Sequence, residues 1–250
     1  MLLLTIARRE FFQLVHSMHG LGPLFLALAG SGSLLLWFLQ HAEGTSGTLP
    51  ALWGLAAAIG LPFLAAVAAS RGFTQDRERG MLRLMFATPV RSRSWVLGKV
   101  WAAWGLCMIF LFGLAVACWV MVRWLMPLTA QLPMTGFGFW LAAAALAIEA
   151  FFWCSLGTLV SLFSRSSAST FLASLLGCLL VPPAVCRIGL WLTPGAAVQW
   201  PWFPYQALVY DCAGGLVDIR MLAGCVLVSV WLIYTAGLTF DALRLCATER

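Results

Sequence analysis

Along this chain, long apolar runs alternate with short clusters of charge. The runs fall at about 21–40, 49–70, 100–122, 137–163, 168–192 and 221–240, and each is close to the roughly 20 residues a helix needs to cross a bilayer. Their filling is Leu, Ala, Trp and Phe without the strict alternation of a membrane barrel strand. Helices and closed barrels are the two structures that satisfy every backbone polar group in lipid, so this pattern selects helices. The expected fold is an all-α membrane protein with six transmembrane helices in a single transmembrane domain over 1–250.

The polar segments add a topology. Residues Leu2 to Met18 place Leu2, Leu3, Ile6, Phe11, Leu14, Val15 and Met18 at helical spacings with Arg8, Arg9 and Gln13 between them, which predicts an amphipathic helix lying at the membrane surface. Its apolar run precedes the arginines and no small-residue cleavage site follows, the wrong order for a secretory signal. The Gly30-Ser31-Gly32-Ser33 run of the first span offers a face for close helix approach, and Pro50 suits the start of the second. The stretch from Arg71 to Lys99 holds seven of the fifteen basic residues. Pro182 and Pro183, with Arg187 after them, predict a break in the fifth run. Trp200, Pro201, Trp202, Pro204, Tyr205 and Tyr210 then read as a segment seated at the membrane interface, with re-entry as a second reading.

In this layout twelve basic residues, Arg71, Arg77, Arg79 and Lys99 among them, share one side, against Arg123, Arg187 and Arg220 on the other. The positive-inside rule makes the first side cytoplasmic, with both termini there, in a cell inner membrane. Composition agrees: 62% of the 250 residues are hydrophobic and 10% charged, against about 25% charged in soluble domains. Topology also accounts for the formal charge of +6, so no nucleic-acid partner is expected.

Candidate chemistry is sparse. The only Gly-Lys pair, Gly98-Lys99, is followed by Val100 and has Arg93 where a phosphate-cradling loop needs its first glycine, so nucleotide hydrolysis must occur elsewhere. No HExxH or GxSxG is present, and the three histidines are His16, His19 and His41. The cysteines lack CxxC spacing and mostly lie in apolar runs, where they act as small hydrophobes. Cys186 and Cys212 fall on the same outer side, with two free thiols favoured over a bridge. Glu149 is the anomaly, since an acid within a span costs about 3 kcal/mol by insertion scales and must face protein or water. Two readings of it stand, a place in a translocation path and a structural hydrogen bond. Arg123, Arg187 and Arg220 read as snorkelling residues at span ends as readily as attractors of an anion.

The order Asp76-Arg77-Glu78-Arg79-Gly80, then Leu82-Arg83-Leu84-Met85, then Thr88-Pro89-Val90, then Val96-Leu97-Gly98-Lys99 opening a span resembles the loop between the second and third helices of type 2 ABC-transporter permeases. Arg8-Arg9-Glu10-Phe11 resembles that family's N-terminal interfacial helix, and Gly215-Leu216-Val217-Asp218 the entry to its last span. Within the family, the compact six-helix permeases of the gliding-motility and nitrous-oxide-reductase-maturation type are the most similar. The resemblance implies a cytoplasmic coupling helix between spans 2 and 3, in which Gln75, Asp76, Arg77, Glu78, Arg79 and Gly80 dock onto a separate ABC ATPase subunit. Met81, Leu82, Leu84, Met85 and Phe86 would anchor that helix in the membrane interface. The implied protein is an exporter permease and not itself an enzyme. It has no cofactor of its own, because ATP and Mg belong to the partner, and it works beside a second permease copy or paralogue, membrane lipid and a possible accessory extracytoplasmic protein. Trp200, Trp202, Phe203 and Tyr205 would correspond to an outer gate. A polytopic membrane anchor and a secondary transporter are the alternatives, the latter thinly supported because Glu149 has no visible partner for an ion site.

Overall fold

The computed structural model describes residues 2–40, 48–88, 90–124, 136–192, 211–217 and 219–248. Its elements are α1 (Leu2–Val15), α2 (Met18–Gln40), α3 (Leu49–Ser70), α4 (Phe73–Glu78), α5 (Met81–Ala87), α6 (Ser92–Trp124), α7 (Gly136–Phe163), α8 (Ser167–Leu192) and α9 (Ile219–Thr248). Among the described residues there is no strand. Five apolar stretches are long enough to cross a bilayer: Gly20–Gln40, Leu49–Glu78, Ser92–Trp124, Gly136–Phe163 and Leu222–Cys246. A shorter apolar helical stretch, Ser167–Leu180, belongs to α8.

The helix α3 forms the centre of the bundle, with 67% of its apolar stretch buried, against 28% for α2 and 22% for α9. Its sequence explains the position. Ala56, Ala57, Ala65, Ala66, Ala68 and Ala69 are buried, and such small side chains let neighbouring backbones come close in the absence of a hydrophobic drive between helices in lipid. A methyl group at Gly60 would lie 2.5 Å from both Phe110 of α6 and Ser31 of α2, and one at Gly157 of α7 would lie 2.6 Å from the Ala69 methyl. Each glycine therefore marks a helix crossing. Of the small run in α2, Ser31 and Gly32 face the bundle while Gly30 and Ser33 are exposed.

The helices depart from the expected runs, most clearly at three places. First, α6 begins at Ser92, eight residues before its apolar run, because Arg93 and Lys99 lower the hydropathy without interrupting the helix. Second, α8 continues through Pro182 and Pro183 to Leu192, so the expected break is absent. Each proline removes one backbone hydrogen bond, whereas abandoning the helix in an apolar setting would strand several polar groups. Third, the charged segment after α3 is a pair of short helices, α4 and α5, where one helix was expected. They meet at Gly80, whose φ of 71° lies in the left-handed region that glycine enters without steric cost.

One end of the bundle gathers the polar elements. Ser17, just before α2, accepts a hydrogen bond from Arg71 at the end of α3. Ser92 at the start of α6 donates to Asp241 of α9, and Arg244 of α9 donates to the Thr88 carbonyl at 2.9 Å. Phe240 of α9 packs on Phe73 of α4 and Phe86 of α5, with centroids 5.3 and 5.1 Å away. The start of α2, the ends of α3, α7 and α9, the starts of α6 and α8, and α1, α4 and α5 thus share this charged end. Arg123 in the last turn of α6 and Arg220 in the first turn of α9 lie at the other.

Candidate functional site at the charged end

Helix α4 is short, yet its side chains reach four other helices. Lys99 of α6 is buried, its side chain 4% exposed, and its ammonium lies 2.9 Å from Glu10 of α1 and 2.7 Å from Asp76 of α4. It donates a hydrogen bond to Glu10 Oε2. The approach to Asp76 Oδ2 is off the line a hydrogen bond requires and acts as an ion pair, leaving that oxygen without a hydrogen-bond donor. Phe73 closes the site, its ring centroid 5.2 Å from the same ammonium. One cation therefore holds α1, α4 and α6 together, and an ion pair this dry is costly to break because the remaining charge stays partly buried.

The next two residues act on the turn between α7 and α8. Arg77 donates to the carbonyls of Leu162 at 2.7 Å and Ser164 at 2.6 Å. Glu78 accepts from the Ser167 N–H and the Ser167 hydroxyl, both at 2.8 Å. A helix leaves its last carbonyls and first N–H groups without internal partners, with partial negative charge at the C-terminus and positive at the N-terminus. Arg77 meets the C-terminus of α7, and Glu78 the N-terminus of α8. The two hydrogen bonds from Ser167 hold the Glu78 carboxyl below the usual carboxylate range. Beneath this pair, the Thr74 hydroxyl hydrogen bonds with Thr170 of α8 at 2.8 Å and lies 3.1 Å from the Ser161 carbonyl of α7.

The six expected docking residues therefore divide. Asp76, Arg77 and Glu78 make contacts within the chain. Gln75 is half-buried, while Arg79 and Gly80 are exposed. On α5, Leu82 is buried and Met85 and Phe86 pack against the core, whereas Met81 and Leu84 are 40% and 62% exposed. Sequence reasoning missed the centre of the site. Lys99 reads as one more cytoplasmic cation until the fold sets it between two acids.

Glu149 of α7 lies elsewhere, inside the bundle and 2% exposed. It accepts a hydrogen bond from the Trp153 indole N–H at 3.0 Å through Oε1, and Oε2 has no hydrogen-bond partner among the described residues. Cys107 and Cys154 lie nearby with their sulfurs 3.8 Å apart. Cys212 is a buried free thiol. The side chain of Cys186, and the expected outer-gate residues Trp200, Trp202, Phe203 and Tyr205, lie outside the described residues.

Several apolar helices that cross a bilayer, with the polar contacts gathered at one end, define a multi-pass helical membrane protein. The sequence profile of the ABC-2 family of transporter proteins matches residues 4–192, from α1 through α8 and including the whole charged site. The chain belongs to that family, the membrane-spanning permeases of ABC transporters, whose general partner is an ABC ATPase. No curated protein matches it.

Proposed function

We propose that this permease is the membrane subunit of an exporter, driven by a separate ATPase that docks on α4 and α5 at the cytoplasmic end. The observation that carries the reading is the set of ties made by α4. Through Asp76, Arg77 and Glu78 it grips α6, α7 and α8, and through Lys99 it reaches α1. A push delivered to the exposed edge formed by Arg79, Gly80, Met81 and Leu84 would thus move the ends of four helices together. Charged and apolar groups side by side on that edge suit orientation-specific contact with a soluble partner. Asp76, Arg77 and Glu78 then work on the permease side of the joint, while Arg79 and its neighbours meet the ATPase.

Connectivity supports six crossings. Five stretches span by length and composition, and α8 starts at the charged end, where α9 finishes. The chain must therefore return to the far end between Ser167 and Ile219, and α8 is the element placed to do so. Twenty-six residues of helix extend about 39 Å at 1.5 Å per residue, enough for the roughly 30 Å hydrocarbon core. Both termini then lie on the basic, cytoplasmic side of the inner membrane, and α1 lies at the membrane surface. A second copy or a paralogue completes the transporter in this reading, with alternating access or channel-like opening between protomers. Because Glu149 is enclosed in one protomer, a route between protomers would not meet it.

Detergent co-purification with candidate ATPase subunits, read with ATP hydrolysis, tests the proposal. Arg79→Glu/Leu84→Glu changes only exposed groups and should abolish association while leaving the permease monodisperse. Retention of the ATPase by this variant would overturn the docking edge. If the folded wild-type chain captured no ATPase at all, a membrane anchor or secondary transporter would become the better reading.

A further inference from the structure

A groove of about 430 Å³ runs between α1 and the start of the α6 span, lined by Leu3, Leu4, Ala7, Arg8, Phe11 and Trp101. Its size falls in the range of sites that hold small ligands, and such sites combine apolar walls with a few placed polar groups. Here Arg8 is the single charged lining residue. It is exposed, its guanidinium stacks over Phe12 with the ring centroid 5.7 Å away, and it has no carboxylate within ion-pair distance among the described residues. Glu10, the nearest acid in sequence, is committed to Lys99.

The walls are held in place. Phe11 seats against Gly105 of α6, where an added methyl would come within 3.0 Å of the Phe11 ring, and Ile6 seats against Gly98 in the same way at 2.6 Å. Trp101 stands edge-on to Trp104, 5.1 Å between centroids, and 6.1 Å from Phe151. Trp104 is itself fixed by its hydrogen bond to the Ala147 carbonyl at 2.9 Å. Trp101 is nevertheless 45% exposed, so the ordered wall faces outward. Tryptophan at the edge of a span belongs at the level of the lipid headgroups.

We infer that this groove binds one anionic glycerophospholipid of the leaflet on the charged side, an acyl chain lying along Leu3, Leu4, Phe11 and Trp101 and the phosphate-bearing headgroup on Arg8. Apolar walls beneath one unpaired cation match that amphiphile, and anionic lipid is attracted to basic juxtamembrane segments by about 1 kcal/mol for each arginine or lysine. A second groove, near the other end, has apolar walls without the cation. It is lined by Leu49, Pro50, Val116, Trp119, Phe139 and Trp140 among others and has no charged lining residue. The inference is independent of ATPase docking, because it concerns the permease and lipid alone.

The test is native mass spectrometry of the full chain released from nanodiscs containing phosphatidylglycerol and phosphatidylethanolamine in equal amounts. Wild type should retain one phosphatidylglycerol in preference to phosphatidylethanolamine. Arg8→Gln should lower that retention about fivefold, whereas Arg9→Gln, the same charge change beside the groove, should lower it less than twofold. Leu4→Asp, at a side chain 72% exposed, should also abolish retention without affecting the fold. Equal retention of the two lipids would overturn the site, as would equal loss in the two arginine variants. Displacement of the lipid by millimolar inorganic phosphate would show a bare anion site and would likewise overturn it.

Discussion

The clearest residue-level consequence concerns Lys99. Removing one partner of a buried ion pair costs about 3 to 5 kcal/mol, and because Glu10 and Asp76 are 14% and 21% exposed, solvent recovers part of that. Lys99→Met should therefore destabilise the permease by about 2 to 3 kcal/mol, read as a lowered thermal unfolding midpoint in detergent. Glu10→Gln and Asp76→Asn should each cost less, because the ammonium keeps the other carboxylate. A negligible effect of one acid variant, beside an effect of the other as large as that of Lys99→Met, would show that the lysine pairs with a single acid. Glu149→Gln should behave differently. The amide oxygen still accepts from the Trp153 N–H and no charge remains to desolvate, so unfolding should occur at the same or a higher temperature. The two residues also show what sequence conveys. Glu149 stands out because a lone acid in an apolar run is visible in one dimension, and its burial follows. The importance of Lys99 depends on two acids 89 and 23 positions away in the chain, and nothing local announces such a meeting.

At the level of elements, five of the spans were legible because crossing a bilayer imposes a length and an apolarity that can be counted. The second run, 49–70, coincides with α3. The ends of α6 and α9 were harder to read, since these helices continue beyond the apolar zone into charged turns that hydropathy scores as loop. The contacts between elements were illegible for another reason, because a glycine at a crossing and a glycine facing lipid look alike in a sequence. Gly157 and Gly177 make the distinction testable. A methyl at Gly157 meets the Ala69 methyl at 2.6 Å, a group that cannot rotate away, whereas one at Gly177 meets only the tip of Leu156 at 3.4 Å. Gly157→Ala should cost about 1 to 3 kcal/mol through overpacking. Gly177→Ala should be neutral or stabilising by up to about 1 kcal/mol from helix propensity. Thermal unfolding of the two variants side by side checks both. At the α7–α8 turn, Arg77→Ala removes two charge-assisted hydrogen bonds to helix-end carbonyls. It should speed amide exchange across 161–170 more than Glu78→Ala, whose carboxylate is open to water.

For the whole molecule, the decisive matter is which way the bundle faces. The charged end carries α1, α4, α5, the α7–α8 turn and the end of α9, so a single orientation fixes every functional assignment at once: the docking edge, the Lys99 node and the lipid groove. The chain supplies its own reporter, because Cys246, near the end of α9, is an exposed free thiol, while Cys107, Cys118, Cys154, Cys178 and Cys212 are buried. A membrane-impermeant maleimide, applied to intact spheroplasts and to inverted vesicles and followed by peptide mapping, reports the side on which Cys246 lies. Labelling should occur in inverted vesicles and be absent from intact spheroplasts, with Cys246→Ser removing the signal. The converse pattern would place α4 and α5 outside the cell, where no ATPase supplied with cytoplasmic ATP can reach them, and the proposed coupling route would fail as a whole. The expected pattern would put Arg8, Lys99 and Arg79 on one cytoplasmic face. The force applied at Arg79, the ion pair that spreads it through Lys99 and the lipid held at Arg8 would then act on the same helix ends, so lipid composition of the inner leaflet should modulate ATPase-coupled movement through α1.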